Sequence, residues 1–238
     1  MIDTPLWMSD PYLREAPARV LAHADDGGVV LDACVFYAAG GGQPGDRGTL
    51  VWEGGEMAVV DTVKGAGTAV LRPGPDAALP PVGAQVTQRL DWDTRHLHMR
   101  VHTALHLLSV VIPLPVTGGQ IGPGKGRLDF DMPDAPEDKP ALEAALNALI
   151  ARDLAVTEDW ITDAELEAAP GLVKTMSVKP PMGAGRVRLV RIGAGADQVD
   201  LQPCGGTHVA RTGEIGPVTL GKIEKKGRQN RRVTLHLA

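Results

Sequence analysis

Cysteine is scarce in this 238-residue chain, with only Cys34 and Cys204, 170 positions apart. A disulfide framework is thereby excluded, and a reducing compartment fits. Aromatic residues make up 3%, too few for a nucleic-acid surface built mainly on base stacking. A net charge of −5 argues against wholesale coating by phosphate, so any nucleic-acid contact has to be local. No apolar run approaches the roughly 18 residues that a membrane span needs. The opening residues carry Asp3 and Asp10 instead of a basic stretch followed by an apolar block. The sequence therefore predicts a soluble, cytoplasmic protein with no membrane partner. What it does contain is 43% hydrophobic and 22% charged residues. That is enough for one large domain or two small ones, each with a buried core.

Charge is unevenly spread. Residues 1–90 hold 6 Lys+Arg against 11 Asp+Glu, leaving 18 of each for residues 91–238. The first part shows short β-type runs at 29–31, 35–37, 49–52 and 58–63, punctuated by Gly and Pro. This pattern predicts a small antiparallel barrel. The proline- and glycine-rich stretch 71–83 predicts a loop, and a domain boundary falls near residue 90.

Beyond Asp91 the period changes. Val101, Leu105, Leu108 and Ile112 recur at helical spacing, with an Asp as N-cap and Pro113 and Pro115 closing the run. A second helix is predicted from about 140 to 153, with Leu142, Leu146, Leu149 and Ile150 as its buried stripe. Thr162-x-x-Glu165 is a capping-box pattern that opens a short third helix, ended by Pro170 and Gly171. The segments 186–192, 199–202, 217–223 and 233–237 alternate as antiparallel strands. The fold class expected is α+β, with a barrel domain over 1–90 and a second domain over 91–238.

Four of the seven histidines, His96, His98, His102 and His106, sit in or beside the first long helix. His98, His102 and His106 share one face at spacing i, i+4, i+8, and His98 lies about 12 Å from His106 along the axis. One ion can therefore take one pair only, His98/His102 or His102/His106. The segment is not a zincin signature, because no Glu follows the first His. His96 and His98 read as surface histidines. A second ligand-type pair, Cys204-Gly-Gly-Thr-His208, has glycines that permit a tight turn, so thiolate and imidazole can face one point. Cys with His is a borderline-soft donor set suited to zinc.

His102-Thr-Ala-Leu-His106-Leu-Leu followed by Cys204-Gly-Gly-Thr-His208-Val resembles the editing domain of alanyl-tRNA synthetase and its freestanding AlaX relatives. The segments 91–95, 126–130 and 212–216 agree with it. The run 40–48, containing Gly41, Gly42 and Gln43, is similar to the glycine-rich motif of the longer AlaX forms, and the intermediate-length class fits best. The Gly-Gly-Gln triplet is also similar to the peptidyl-tRNA hydrolysis motif of release factors. Physically, such glycines either let backbone amides approach a phosphate or serve a hairpin loop that needs positive φ.

The resemblance implies one zinc ion per chain held by His102, His106, Cys204 and His208. It implies hydrolysis of the ester in mischarged tRNA(Ala), chiefly Ser-tRNA(Ala) and also Gly-tRNA(Ala). Thr117 and Gln120 then match positions that contact the serine side chain. Residues 219–238 carry Lys222, Lys225, Lys226, Arg228, Arg231 and Arg232 against Glu224 alone. This basic hairpin is expected to face tRNA phosphates, with Arg127 and Arg191 as helpers and the 41–43 loop as a further tRNA-facing element. The alternatives are editing of another mischarged tRNA such as Ser-tRNA(Thr), a zinc-stabilised tRNA-binding module without turnover, and a zinc peptidase.

Overall fold

The computed structural model describes residues 5–176 and 185–238. The chain divides into two compact units, Met1–Leu97 and His98–Ala238.

In the first unit a one-turn helix α1 (Leu6–Ser9) precedes six strands: β1 (Glu15–His23), β2 (Val29–Leu31), β3 (Gly48–Trp52), β4 (Gly55–Lys64), β5 (Ala69–Pro73) and β6 (Gln85–Leu90). They close into an antiparallel barrel in the order β1-β2-β5-β4-β3-β6. Val20, Val29, Phe36, Leu50, Met57, Leu71 and Val86 fill its interior. Strand β5 takes the first residues of the stretch expected to be a loop, and Pro73 is tolerated where the β4–β5 register shifts.

The run 35–37 is not a strand, although it is deeply buried. Side chains satisfy its backbone instead of a ladder. Val35 N–H donates to Gln88, Tyr37 N–H donates to Asp46 Oδ2, and Val35 C=O accepts from Arg95 Nη2. Arg95 and Asp46 form an ion pair whose side chains are 0% and 1% exposed, and Arg95 Nη1 also donates to Pro11 C=O.

Helix α2 (Trp92–Val111) is opened by Asp91, which accepts from the Thr94 N–H and hydroxyl. Within the second unit this helix is buried nearly all round, Val101, Ala104, Leu105, Leu107 and Leu108 included. The strands β7 (Val116–Gly122) and β8 (Lys125–Asp131) follow, then α3 (Lys139–Ala151), β9 (Val156–Thr162), α4 (Asp163–Ala168), β10 (Arg186–Ile192), β11 (Asp200–Pro203), β12 (Val218–Leu220), β13 (Glu224–Lys225) and β14 (Asn230–Leu237). Two antiparallel sheets result. One has the order β11-β10-β9, and the other β12-β14-β8-β7 with β13 on β14.

The α+β class read from the sequence stands. Asp138 caps α3, and the Thr162/Glu165 capping box opens α4 as its spacing predicts. Strands β7, β8 and β9 were not legible. The first is glycine-rich, the second sets charged residues between its buried ones, and the third carries mostly exposed residues. Gly126 lets α2 approach the larger sheet, since a Cβ there would stand 2.5 Å from Val101 Cγ1.

Candidate metal centre

Helix α2 supplies His102 and His106, and the loop after β11 supplies Cys204 and His208. One donor atom from each lies within 4.8 Å of the others. Cys204 Sγ is 3.4 Å from His102 Nε2 and 3.2 Å from His208 Nε2. The three imidazoles pack with centroids 4.2–5.2 Å apart. His102, His106 and His208 are buried, and Cys204 is partly so. The structure thus resolves the choice that spacing left open: His106 completes the cluster, and His98 does not. His98 is also only 2% exposed, so it is a core residue instead of the surface histidine expected. His96 is half-buried and stacks on Trp92.

Two neighbours aim the rings. Asp200, whose side chain is fully buried, lies 3.0 Å from His106 Nδ1. An ionised carboxylate can only accept, so His106 Nδ1–H donates and Nε2 is left to the cluster. The Thr103 hydroxyl donates its one proton to Met99 C=O. Its oxygen, 3.1 Å from His208 Nδ1, therefore accepts from that ring and leaves His208 Nε2 free to ligate. Asp200 also accepts from Lys174 Nζ at 2.6 Å and Gln202 Nε2 at 2.7 Å, and Ser109 Oγ lies within reach of both donors.

The Cys204–His208 loop is clamped from the sheet. Arg188, 6% exposed, donates to the carbonyls of Cys204 and Gly206 and pairs with Glu158. The Gly206 N–H points at Cys204 Sγ.

These surroundings set the charges. Burial alone would raise the Cys204 thiol, but the charge of His102 and the hydrogen bonds of His102 and His106 hold it well below the ordinary range. Burial and the charge of His102 push His208 down to about 3, which keeps that ring neutral. Burial would raise Asp200, yet the His106 bond and the charges of His106 and Lys174 bring it to about 2. Burial opposes a proton on His106, and the bonds to Asp200 and Cys204 overcome it, raising that group to about 9. A thiolate among imidazoles, with acceptors behind His106 and His208, is a donor set that could hold a metal ion.

The other predicted residues have bonding partners of their own. Thr117 sits at a bulge in β7. Its hydroxyl donates to Asp129 C=O and accepts from Asn230 Nδ2. Gln120 is exposed, and its carbonyl oxygen accepts from Arg127 Nε. Those bonds are to the larger sheet and not to the His/Cys cluster.

Gly41 and Gly42 are exposed with φ of 59° and 85°, the two central residues of a hairpin turn closed by reciprocal Gly40–Gln43 backbone bonds. Gln43 itself is 2% exposed, so only the glycines of that trio present surface. Lys222, Lys225, Lys226 and Arg228 are exposed, Lys226 pairing with Glu224. Arg232 is held by a two-pronged bond to Asp129, and Arg231 binds carbonyls including Pro133. Arg127 also pairs with Asp129, and Arg191 with Asp159. The basic surface is therefore narrower than the sequence suggests.

A barrel followed by a two-sheet unit with this cluster defines a class of tRNA-synthetase-related modules. Residues 187–234 match the family described as threonyl and alanyl tRNA synthetase second additional domain, and residues 13–94 match class II (A) tRNA synthetases. The alanyl-tRNA editing protein AlaX-M of Methanosarcina acetivorans is 37% identical over 239 residues, covering 96% of each chain. That of Methanosarcina mazei is 33% identical and covers 98% of this chain and 95% of its own. The alanine–tRNA ligase of Pyrobaculum arsenaticum is 36% identical, and the chain spans about a quarter of that ligase's length. The chain belongs to the AlaX family of alanyl-tRNA editing proteins.

Proposed function

We propose that the protein is a trans-editing aminoacyl-tRNA deacylase of the cytoplasm that hydrolyses mischarged tRNA(Ala), chiefly Ser-tRNA(Ala) and also Gly-tRNA(Ala). The observation that carries this reading is the convergence of His102, His106, Cys204 and His208 from two distant segments, in a chain similar over nearly its whole length to AlaX-M proteins. We assign the ester chemistry to residues 91–238 and an accessory role, with the exposed Gly41 and Gly42, to residues 1–90.

Zinc suits the cluster. Its usual bond lengths and tetrahedral angles put sulfur and nitrogen ligands about 3.5 Å apart, close to the separations between Cys204 and its two imidazole neighbours. When bound, it would supply charge for polarising the ester carbonyl or for holding the pocket in shape. Four protein ligands fill a tetrahedral shell, which favours the shaping role.

An aminoacyl ester is already reactive, so positioning and stabilisation of the oxyanion suffice and no nucleophilic serine is required. Serine exceeds alanine by a hydroxyl, so size exclusion cannot spare the correct product. A pocket whose polar groups need that hydroxyl can discriminate by on the order of 10⁴. Thr117 and Gln120 are the residues we assign to this contact. Lys222, Lys225, Lys226 and Arg228 supply phosphate contacts that position the acceptor stem without reading sequence.

Deacylation of Ser-, Gly- and Ala-tRNA(Ala) and of Ser-tRNA(Thr) tests the reading. Rapid loss of serine from tRNA(Ala) with Ala-tRNA(Ala) spared is expected. Equal or faster action on the threonine tRNA overturns the choice of tRNA. The full ligand set favours one second reading, a zinc-stabilised tRNA-binding module. Metal-loaded protein that binds tRNA tightly without hydrolysis would establish it.

A further inference from the structure

Trp160 is one of four tryptophans in the chain, and it stands 41% exposed on β9. The Arg186 guanidinium lies 4.5 Å from its ring centroid. Strand register fixes what shares its surface. Arg188 opposes Trp160, Val190 opposes both Glu158 and Gln202, and Ile192 opposes Asp200. Directly opposed residues project to the same face of a sheet. Trp160, Glu158, Arg186, Arg188, Gln202 and Asp200 therefore occupy one face of the three-stranded sheet.

That face runs into the metal centre. At one side Asp200 holds His106, and midway Arg188 holds the carbonyls of Cys204 and Gly206. Cys204 N–H donates to Arg188 C=O, continuing the β11 ladder. Cys204, Arg188 and Trp160 thus form a row across three neighbouring chain segments. At about 4.8 Å per strand, the Trp160 backbone lies roughly 10 Å from that of Cys204.

We propose that Trp160, backed by Arg186, is the stacking platform for the unpaired terminal purine of the aminoacylated RNA end whose ester is held beside the Cys204–His208 loop. The inference rests on the deacylase reading and names how the substrate is seated. In an aminoacyl nucleotide the ester and the base hang from one ribose, so a site for the acyl group needs a site for the base one sugar away. An indole face takes any base by its π surface, and the cation beside it adds attraction for base and phosphate. Unpaired RNA ends are recognised by such stacking. Glu158 is paired with Arg188, so the charge offered beside the ring is that of Arg186. A single platform of this kind also agrees with a chain poor in aromatics.

The test uses a tRNA(Ala) acceptor minihelix with serine joined to the 3′ end by an amide, so that nothing is hydrolysed. It carries either a terminal adenosine or an abasic terminal ribose. Both probes are titrated into zinc-loaded wild type, Trp160→Ala and Trp160→Phe. We expect Trp160→Ala to bind the adenosine probe about 5- to 100-fold more weakly and Trp160→Phe to keep most of the affinity. The abasic probe should show the same loss on the wild type and no further loss on Trp160→Ala. Equal affinity of Trp160→Ala and wild type, or an undiminished abasic penalty in Trp160→Ala, overturns the platform. If Trp160→Ala fails to fold, Trp160→Leu, which keeps apolar bulk without a π face, takes its place against the same two probes: a lost abasic penalty supports the platform, and an undiminished one overturns it. Base-dependent binding in a wild type that leaves Ser-tRNA(Ala) intact would remove the deacylase reading and keep the platform. Hydrolysis with no Trp160 effect would do the reverse.

Discussion

The Asp200 carboxylate sits 3.0 Å from His106 Nδ1 and turns the other nitrogen of that ring toward Cys204 and His208. Neither residue's role is visible without the other. Acceptors behind metal-type histidines fix tautomer and orientation, and their loss commonly costs 10- to 100-fold in metal affinity. Asp200→Ala is expected to bind zinc about 10- to 100-fold more weakly in competition with a chromophoric chelator. Unchanged affinity would show that His106 is oriented by other means.

Thr103 gives a sharper case because its hydroxyl serves three groups, Met99 C=O, His208 Nδ1 and Val209 N–H. Thr103→Val keeps the shape and strands those buried partners. A loss of about 1–3 kcal/mol is expected from denaturant unfolding. Thr103→Ser restores the oxygen and should recover most of it. If Val and Ser behave alike, the methyl group and not the hydroxyl is what matters there.

In the first unit, Asp46→Asn leaves the buried Arg95 guanidinium without its counter-charge. Removing one member of a buried pair costs about 3–5 kcal/mol. The unfolding transition of the barrel should move by that amount. A shift below about 1 kcal/mol would mean that the Val35 and Pro11 carbonyls alone satisfy the arginine.

Metal removal should register in stability. A ligand at 100 times its dissociation constant stabilises the native state by about 2.7 kcal/mol. For a chain of this size that raises Tm by roughly 5–10 °C. Calorimetry with and without a chelator checks this, and identical melting curves would contradict a metal held by all four residues.

The basic strip makes a salt-dependent prediction. Replacing Lys222, Lys225 and Arg228 by Ala, all exposed in the structure, should lower the slope of log affinity for tRNA against log salt. The decrease expected is about 0.7–0.9 for each phosphate that the protein no longer neutralises. Arg232→Ala, by contrast, breaks an internal bond to Asp129. It should affect stability more than that slope.

How much of this could be read from the sequence follows from what kind of information each residue carries. His102, His106, Cys204 and His208 were legible because ligand chemistry is confined to few residue types and their local spacing is short. Asp200, Thr103 and Arg188 were not, since common polar residues acquire their roles only through strand register and helix packing. One signal was present: Asp200, Gln202 and Cys204 alternate, which in a strand puts all three on one face. The barrel was recognisable from its β runs, yet β1 escaped because alanines mark part of its buried side. The run 35–37 looked like a strand and is buried for another reason, with Arg95, Asp46 and Gln88 replacing a neighbouring strand.

Arg188 reaches in two directions, toward the carbonyls of the cysteine loop and toward Glu158 on β9. A change at Glu158 would therefore be felt two strands away at Cys204, because the guanidinium that answers the carboxylate also steadies the backbone around the thiol.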